Sequence, residues 1–582
     1  MIKKLMKSIR EYKKDSLLSP AMVTLEVIME VIIPMLMARL IDYGIQAQNL
    51  GYIWKMGILL AVTAMISLMF GVLSGKFAAR ASAGFAKNLR QAMFENIQEY
   101  SFSNIDKFST AGLVTRLTTD VTNLQNAYQM ILRMCMRAPA SMIIAMIMSF
   151  YINARLASIY LVAVILLGTC LFLIMRSATK YFEQAFPKYD ELNASVQENV
   201  SAIRVVKAYV REDYETGKFH KASENIYKIF CKAEENLSFN APLMQLTVYS
   251  CILLISWLGA KMIVGSSLST GELMSLLTYC MNILMSLMML SMVFVMITMS
   301  LASARRISEV LNEKSDLDNP ENPDFSIPDG SITFDHVYFN YKKGAGEPVL
   351  SDINFSIQSG ETIGIIGGTG SAKTSLVNLI SRLYDVTDGS VKVGGKDVRS
   401  YDMETLRNEV AVVLQKNVLF SGTILDNLRW GDKNASEEEC KRVCRLACAD
   451  EFIDRMPEGY NTYIEQGGSN VSGGQKQRLC IARALLKKPK VLILDDSTSA
   501  VDTATDAKIR KAFLTEIPET TKLIIAQRIS SVQDADRIIV MENGKVNGFG
   551  SHEELLKTNE IYREVYESQT GGGGDFDEKR GE

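Results

Sequence analysis

The chain carries almost no net charge and has no paired cysteine motif. Its 63 Lys and Arg offset 65 Asp and Glu over 582 residues, so bulk charge indicates no polyanionic partner such as nucleic acid. The nine Cys are scattered without a Cys-x-x-Cys pair, which predicts reduced, structurally inert thiols. Three of them share one helical face, but no His or carboxylate stands at ligand spacing, so no metal site is expected there. They are Cys440, Cys444 and Cys448.

Long apolar runs are missing from the chain after about residue 330, where the composition is that of a soluble α/β domain. Up to about residue 300, in contrast, such runs dominate. A membrane-spanning helix needs about 20 predominantly apolar residues, and the chain is too long for one ordinary domain. Six candidate spans lie at 17–41, 53–75, 129–151, 156–176, 242–264 and 272–300.

The chain begins with a basic amphipathic segment, residues 1–16, which is typical of a helix on the membrane surface. It has no small-residue cleavage site and is not interpreted as a removed signal peptide. Lys and Arg favour the cytoplasmic side. They are abundant in the long segments 76–126 and 177–240 and scarce in the short loops on the other side. The sequence therefore predicts a transmembrane domain over 17–305 in the plasma (inner) membrane, with both termini cytoplasmic.

Composition also predicts where the soluble half begins and ends. A linker is expected at 306–330, which is polar in its later part and holds three prolines. A soluble domain is expected over 331–568. From residue 569 the sequence is Gly-rich and then charged, which is typical of a disordered tail.

A glycine-rich loop follows a predicted strand at 361–366 and precedes a predicted helix at 375–380. Strand, loop and helix are the context of a phosphate-binding loop, in which backbone N–H groups and the helix N-terminus face the phosphates. Lys373 is predicted to reach the β and γ phosphates, and the Thr374 hydroxyl to bind Mg2+. The nucleotide-binding residues expected here are Gly367, Gly368, Thr369, Gly370, Ser371, Ala372, Lys373, Thr374 and Ser375.

Two further segments fit a nucleotide site. The apolar strand 490–494 ends in Asp495 and Asp496, and an acid at the end of such a strand holds Mg2+ near the phosphates, directly or through water. Between the glycine-rich loop and this strand, a Ser-Gly-Gly-Gln segment at 472–475 enters a helix. Small residues at a helix start offer backbone N–H groups to an anion.

The Ser-Gly-Gly-Gln segment resembles the signature motif of ATP-binding cassette (ABC) transporters. Other positions are similar to the family's motifs in the same order. They are an aromatic residue that stacks on adenine, a glutamine that couples the nucleotide site to the membrane domain, a loop crossing the dimer interface and a switch segment. In this sequence these are Tyr341, Gln415, Ser499–Asp502 and Ala526–Ser530, with Ser472, Gly473, Gly474 and Gln475 as the signature. The resemblance implies bound ATP and Mg2+, with Thr374, Gln415 and Asp495 around the metal.

The membrane half agrees with this resemblance. Segments 110–120 and 203–212 are similar to the two coupling loops of exporter-type members, within inner regions near 102–120 and 203–215. The resemblance covers nearly the whole chain, up to about residue 568. It implies a six-span, all-α transmembrane domain followed by an α/β nucleotide-binding domain.

Three substitutions depart from the family at one nucleotide site. Ala372 stands where the loop pattern has its second glycine, and alanine is strained there if the position needs a positive φ. Asp496 stands where the family has a catalytic glutamate, and its carboxylate is one methylene short of an attacking water. Gln527 replaces the switch histidine and hydrogen-bonds without becoming a cation. The sequence therefore predicts ATP binding with slow hydrolysis at this chain's own site.

The signature segment, in contrast, is intact. In this family each ATP lies between the phosphate loop of one nucleotide domain and the signature of the other, so this chain is expected to serve its partner's site well. The resemblance predicts a heterodimer with a different half-transporter that supplies the full glutamate and histidine. A homodimer with two weakened sites is the alternative.

Polar residues in the predicted spans are candidates for the substrate path, because charges in a membrane are costly. Glu26 and Glu30 share one helical face; they either line a cavity for cationic compounds or form a structural pairing at a wetted inner end. Arg133 and Arg137 are either their counter-charges or contacts to an anionic substrate. A methionine stripe in the last span either lines a cavity for varied apolar ligands or serves ordinary packing. It includes Met281, Met285, Met288 and Met292.

The favoured function is ATP-dependent export of drug-like or amphipathic molecules. An importer built on the same fold and a nucleotide-gated regulator without transport are the alternatives. The intact signature and the coupling loops argue against the regulator.

Overall fold

The computed structural model describes residues 1–341, 346–496 and 501–570. The chain divides into two units. The first comprises Met1–Glu99 and Phe108–Lys314, and the second comprises Tyr100–Lys107 and the chain from Ser315 onward. The second unit therefore includes one short helix from the amino-terminal half of the sequence.

The amino-terminal half is helical, and its long helices match the six predicted spans. Six stretches among the described residues are long and apolar enough to cross a membrane: Ile2–Ile45, Leu50–Gln98, Thr110–Ile152, Ala154–Tyr181, Glu212–Val264 and Thr270–Asn312. The helices of this half are α1 (Ile2–Met6), α2 (Lys13–Leu40), α3 (Leu50–Gln98), α4 (Phe102–Lys107), α5 (Thr110–Thr115), α6 (Val121–Ile152), α7 (Ala154–Ser201), α8 (Ile203–Ala208), α9 (Glu212–Ser238), α10 (Asn240–Val264) and α11 (Thr270–Asn312).

Several of these helices exceed the thickness of a bilayer. With 49 residues, α3 is about 74 Å long at 1.5 Å per residue, more than twice the roughly 30 Å of a hydrocarbon core. The helices therefore extend well beyond the apolar layer.

The basic amino-terminal segment bends before the first span. Between α1 and α2 the backbone of Arg10 leaves helical geometry at φ 40° and ψ −114°. Leu5 and Ile9 are buried, and the Asn88 amide of α3 donates to the Ser8 carbonyl at 3.1 Å. The segment is thus packed against α3 on one side.

The expected linker at 306–330 begins too early. The last helix α11 continues to Asn312, and Ile307 and Val310 are fully buried. The chain stays helical past residue 305 because these two apolar side chains pack against the rest of the first unit. The non-helical connection starts only at Glu313.

The second unit contains the carboxyl-terminal half of the chain and is built on two larger sheets. A six-stranded sheet has the order β12-β11-β3-β10-β9-β6, and a four-stranded sheet has the order β2-β1-β4-β5. The strands are β1 (Ile332–Phe339), β2 (Leu350–Ile357), β3 (Thr362–Gly367), β4 (Asp388–Val393), β5 (Lys396–Asp397), β6 (Val410–Val413), β7 (Gly422–Thr423), β8 (Tyr463–Ile464), β9 (Val491–Asp495), β10 (Thr521–Ile525), β11 (Arg537–Glu542) and β12 (Lys545–Gly550).

Among the described residues, five strands of the six-stranded sheet run parallel, and the edge strand β12 is antiparallel. Strands β9 and β10 are buried along their whole length, as expected for a parallel sheet covered on both faces. The helices of this half are α12 (Lys373–Ile380), α13 (Met403–Glu409), α14 (Ile424–Leu428), α15 (Glu437–Leu446), α16 (Asp450–Ile453), α17 (Gly473–Leu486), α18 (Thr503–Glu516), α19 (His552–Thr558) and α20 (Glu560–Thr570).

The expected disordered tail also begins too early. Gln569 and Thr570 belong to α20, and the Thr570 hydroxyl donates to the Tyr566 carbonyl at 2.7 Å. The apolar face of this helix includes Tyr562, which is 1% exposed, so tertiary packing carries the helix up to the glycine run. Residues 571–582 lie outside the described part of the chain.

Candidate nucleotide-binding site

Three loops meet where three neighbouring strands end. Strand β3 leads into the glycine-rich loop, β9 ends at Asp495, and β10 leads into the switch segment at Ala526. These strands are parallel, and β10 lies between β3 and β9. Because the carboxyl ends of parallel strands share one edge, this edge is where an open α/β sheet binds its ligand. It collects the phosphate loop, both acids and Gln527.

The phosphate loop depends on its first glycine and folds around Lys373. A Cβ at Gly367 would collide with the Met541 carbonyl of β11. The Lys373 ammonium donates to the carbonyls of Gly367 and Gly368 at 2.9 Å each. Burial lowers the pKa of Lys373, and the charges of Asp495 and Asp496 oppose that shift. The loop thus holds a cation and a helix N-terminus at one point, which suits a polyphosphate.

The backbone at Ala372 is left-handed, with φ 71° and ψ 25°. This is the condition under which the sequence predicts strain, because a Cβ disfavours positive φ. Ala372 is also the residue before α12 and provides no side-chain cap. The departure from the glycine pattern therefore has a backbone cost in this chain.

The hydroxyl of Thr374 and the carboxylate of Asp495 lie together, with the hydroxyl donating at 3.2 Å. Asp495 is 2% exposed; burial raises its pKa, and the charge of Asp496 acts in the same direction. Gln415 follows β6, the strand next to β9, and is exposed. Hydroxyl, carboxylate and amide oxygens are the hard ligands that Mg2+ prefers, so the residues present fit a nucleotide-bound magnesium.

Asp496 and Gln527 contact each other across the ends of β9 and β10. The Gln527 amide donates to the Asp496 carboxylate at 3.1 Å. Asp496 has a left-handed backbone with φ 49°, which Asp tolerates better than most residues. The two positions at which the sequence departs from the family pattern are therefore direct neighbours, joined by this hydrogen bond.

The signature segment forms the start of α17. The Ser472 hydroxyl accepts from the Gln475 backbone N–H at 3.3 Å, and the Gln475 side chain accepts from the Ser472 N–H at 2.9 Å. This reciprocal capping box fixes the entry into the helix. Ser472 and Gly473 are exposed and Gly474 is half-buried, so the helix start is open to a partner.

The predicted interface loop is described only in part. Ser499 and Ala500 lie outside the described residues. Asp502 caps α18 by accepting from the Thr505 N–H at 2.9 Å, and this backbone bond is the main cause that lowers the pKa of Asp502. The structure thus gives Asp502 a capping role, and its contact with nucleotide remains a prediction.

Tyr341 lies beside the phosphate-loop helix. Its hydroxyl shares a 2.8 Å hydrogen bond with that of Ser375, and its ring packs edge-on against Tyr384 with 5.1 Å between centroids. The Tyr384 hydroxyl in turn donates to Asp106 of α4 at 2.7 Å, and the Phe102 ring lies 6.0 Å from that of Tyr384. The sequence analysis did not identify Tyr384, because a single aromatic residue after an apolar helix is typical of the hydrophobic core.

The coupling region predicted near 102–120 is split by the structure. Residues 100–107 belong to the second unit, where α4 contacts Tyr384, whereas the stretch 110–120 belongs to the first. There Asp120 is 1% exposed and accepts from Arg306 at 2.7 Å. The motif at 110–120 is thus anchored in the helical unit, and α4 makes the contacts near the nucleotide site.

Comparison with known proteins gives the same answer for both halves. The profile described as ABC transporter transmembrane region matches residues 17–288, and the profile described as ABC transporter matches 350–499. An uncharacterized ABC transporter ATP-binding protein of Bacillus subtilis (strain 168), YfiB, is 36% identical over 549 residues, covering 94% of this chain and 95% of that protein. The chain belongs to the ABC transporter family.

Two further relatives refine the fold of this ABC transporter. The ATP-dependent lipid A-core flippase of Desulfotalea psychrophila is 34% identical over 79% of this chain and 80% of that protein. The solved structure of a bacterial Atm1-family ABC exporter with ATP bound has a TM-score of 0.83 at 24% identity, covering 96% of this chain and 99% of that one. The transporter therefore has the exporter fold expected from its sequence.

Replacing Ala372 with glycine is expected to stabilise the transporter by about 1 kcal/mol, because glycine removes the strain of the left-handed backbone. The matched opposite change is Gly370→Ala. Gly370 has φ 84°, and a Cβ there meets no atom within 4 Å, so only backbone strain distinguishes the two residues. Thermal unfolding of the full chain is expected at a higher temperature for Ala372→Gly and at a lower one for Gly370→Ala. Equal shifts in one direction would contradict this account.

In the membrane half of the transporter, Arg137 joins the two predicted acids. Its guanidinium donates to Glu26 at 2.7 Å and to Glu30 at 2.6 Å. Glu26 is 9% exposed, and its second carboxylate oxygen is buried without a hydrogen-bond partner among the described residues. A Cβ at Gly71 would lie 2.9 Å from Glu26. Of the two interpretations of these acids, the structure shows the pairing with a counter-charge.

The methionine stripe faces away from the core of its own unit. Its four members are between 43% and 70% exposed, whereas Ile283 on the opposite face is fully buried. The exposed members are Met281, Met285, Met288 and Met292. A contiguous exposed apolar face of this kind meets lipid, a substrate or another protein.

Proposed function

We propose that this chain is one half of a heterodimeric ABC exporter. Its own site binds MgATP but hydrolyses it slowly, and its signature segment completes the hydrolytic site of a different half-transporter. The observation that carries the proposal is the Asp496–Gln527 pair. A short carboxylate held by a neutral amide at 3.1 Å replaces the acid and the histidine that the family uses for hydrolysis.

A weak base at this position has a direct kinetic consequence. A general base must come within roughly 2.6–3.2 Å of the proton it takes, or act through one water. Asp496 starts from a fixed left-handed backbone, so its missing methylene is not recovered by a small shift. Nucleotide binding is retained, because Lys373, Thr374 and Asp495 are all in place around the loop.

The intact signature supports the asymmetry. The Ser472–Gln475 capping box is complete and its first residues are exposed, so the N-terminus of α17 is prepared for the phosphates of an ATP held by the partner. One chain thus combines weakened catalytic residues at its own nucleotide site with an intact signature segment for the partner's site. A homodimer would place two weakened sites together and would turn over slowly.

An apolar groove lies beside Gln415 in the nucleotide-binding unit. The groove has a volume of about 370 Å³, and its rim carries Phe420 and Trp430, which stack at 4.1 Å and are 45% and 61% exposed. Helix α8 presents exposed apolar residues, including Val205 at 56%. In this proposal the coupling loops near 102–120 and 203–215 pass the closing of the nucleotide domains on to the spans.

The proposed cargo is an amphipathic or drug-like molecule moved out of the cytoplasm, with both termini on the cytoplasmic side. The exposed methionine stripe offers flexible apolar contacts. A relative named as a lipid A-core flippase supports an amphipathic substrate class. In this proposal Arg137, Glu26 and Glu30 keep the first and third spans together, and the methionine face contributes the apolar part of the path.

The proposal is tested by purifying the full chain alone and measuring Mg-dependent ATP hydrolysis. Slow turnover with ordinary ATP binding is expected, because the base at Asp496 is short. Brisk turnover of the chain alone that Asp496→Asn abolishes would overturn the proposal, because this chain would then hydrolyse ATP at its own site. As a control, Lys373→Met is expected to abolish ATP binding, and thermal unfolding of the apo variant checks that the chain still folds.

A further inference from the structure

The last described helix reaches the switch segment of the nucleotide site. Gln569, near the end of α20, uses both ends of its side-chain amide on this segment. Its nitrogen donates to the Gln527 carbonyl at 2.9 Å, and its oxygen accepts from the Ile529 backbone N–H at 2.8 Å. One side chain therefore brackets three consecutive residues, and the first of them carries the side chain that contacts Asp496.

The helix that carries Gln569 is firmly seated. Its first turn is fixed by Asn559, whose side chain accepts from the Tyr562 N–H at 2.9 Å. Tyr562 is 1% exposed, and its hydroxyl shares a 2.6 Å hydrogen bond with His552 of α19. Gln569 lies about two turns farther along the same helix, so these contacts fix the start of the helix that carries its amide to the switch segment.

The switch segment has a second anchor on its far side. The Ser531 hydroxyl donates to Asp506 of α18 at 3.1 Å, and Asp506 is 5% exposed. Between the two anchors the segment is held at residues 527, 529 and 531. The anchor at Gln569 is the one next to residue 527, so it sets the direction in which that side chain leaves the backbone.

We propose that Gln569 is a positioning residue for ATP hydrolysis, which holds the switch segment in register with the acid at the end of β9. The requirement is specific, because one group must donate on one side and accept on the other. Glutamine meets it in one orientation of its amide. Glutamate keeps the acceptor but turns a carboxylate toward the Gln527 carbonyl. The bond is to the backbone, so it serves any residue at 527 and does not depend on whether the transporter is a heterodimer.

The test compares Gln569→Met with Ser568→Met in the full chain. Methionine at 569 keeps the length and helix propensity of the side chain but makes neither hydrogen bond, and the change at the exposed neighbour is the matched control. Hydrogen exchange of the peptide covering 526–531 is expected to be about 10-fold faster in Gln569→Met, because two hydrogen bonds that close the segment are lost. Ser568→Met is expected to exchange like the unchanged chain.

ATP turnover is measured on the same variants. If the chain without substitutions hydrolyses ATP by itself, the variants are made in that chain. If it does not, they are made in a chain that also carries Asp496→Glu and Gln527→His. For Gln569→Met we expect kcat to fall about 10-fold with KM within about twofold, since misplacing a catalytic group affects the chemical step more than binding. The kcat of Gln569→Glu is expected to lie between that of Gln569→Met and that of the chain with Gln569. Unchanged exchange overturns the proposal, as does faster exchange with unchanged kcat. Brisk turnover of the unchanged chain bears on the heterodimer alone.

Discussion

Replacing Asp496 with Glu and Gln527 with His raises ATP hydrolysis by this chain's own site by about 100-fold or more, the contribution usual for a positioned general base. The added methylene brings a carboxylate within reach of the attacking water. The imidazole adds a group that accepts a positive charge near the γ-phosphate. The 3.1 Å hydrogen bond between Gln527 and Asp496 shows that the two positions are close enough to act on the same nucleotide.

The measurement is steady-state MgATP turnover of the purified full chain. Each single change is expected to give only part of the gain, because the two positions act on one reaction and are not additive. Adding Lys373→Met to the double variant should remove the gain and so assign it to this site. A double variant no faster than the unchanged chain, with ATP still bound, would show that the slow step lies elsewhere.

Replacing Arg137 with Met destabilises the helical unit by about 3–5 kcal/mol, the usual cost of leaving a buried charge without its partner. Arg137 bonds to both Glu26 and Glu30. Glu26 is 9% exposed and already has one unpartnered oxygen. Without the guanidinium, this buried side chain loses its counter-charge, and the loss lowers the stability of the fold.

The effect is measured as loss of thermal stability of the full chain in detergent or lipid. Arg133→Met, one helical turn away, is the matched control, because Arg133 forms no ion pair with either acid in the described contacts. Adding Glu26→Gln and Glu30→Gln to Arg137→Met should recover most of the loss. If the triple variant were as unstable as Arg137→Met, the packing of the arginine stem rather than its charge would be responsible.

Local patterns predicted the nucleotide edge of the fold well. The strand-loop-helix around Lys373 and the buried strand before Asp495 follow from apolar runs and turn residues, which act over a few positions. The sequence predicted strain at Ala372 if its backbone were left-handed, because a glycine in a motif often marks a position that needs a positive φ. The structure has this left-handed backbone. Helix ends were less predictable, because the burial of Ile307 and of Tyr562 prolongs helices that composition alone would end.

The contacts that connect distant segments could not be predicted. Tyr384 donates a hydrogen bond to Asp106, 278 positions away. Nothing in the local sequence around either residue indicates that the two are in contact. The two hydrogen bonds of Gln569 join a helix end to a loop about 40 residues earlier, where the sequence indicated only the start of a tail. Arg137 was one of two possible counter-charges, and only the packing of α6 against α2 shows which one bonds to the acids.

The central claim is that this chain binds ATP at a weakened site and completes the hydrolytic site of a different partner. It is tested most directly by the ATP turnover of the intact transporter. The transporter is isolated from the cells that produce it through a tag on this chain. Two changes in this chain are compared: Asp496→Asn, which removes the acid of its own site, and Gly473→Glu, which puts a carboxylate where the partner's phosphates would meet the signature. Glutamate at a helix start is compatible with the fold, because it suits the positive end of the helix dipole.

The account predicts that Asp496→Asn leaves turnover within about twofold, whereas Gly473→Glu lowers it about 100-fold, the scale of losing an oxyanion-stabilising contact. Gly473→Gln, of equal size and without charge, separates repulsion from bulk. Loss of turnover in Asp496→Asn, with Gly473→Glu largely active, would mean that this chain hydrolyses ATP at its own site and would contradict the account.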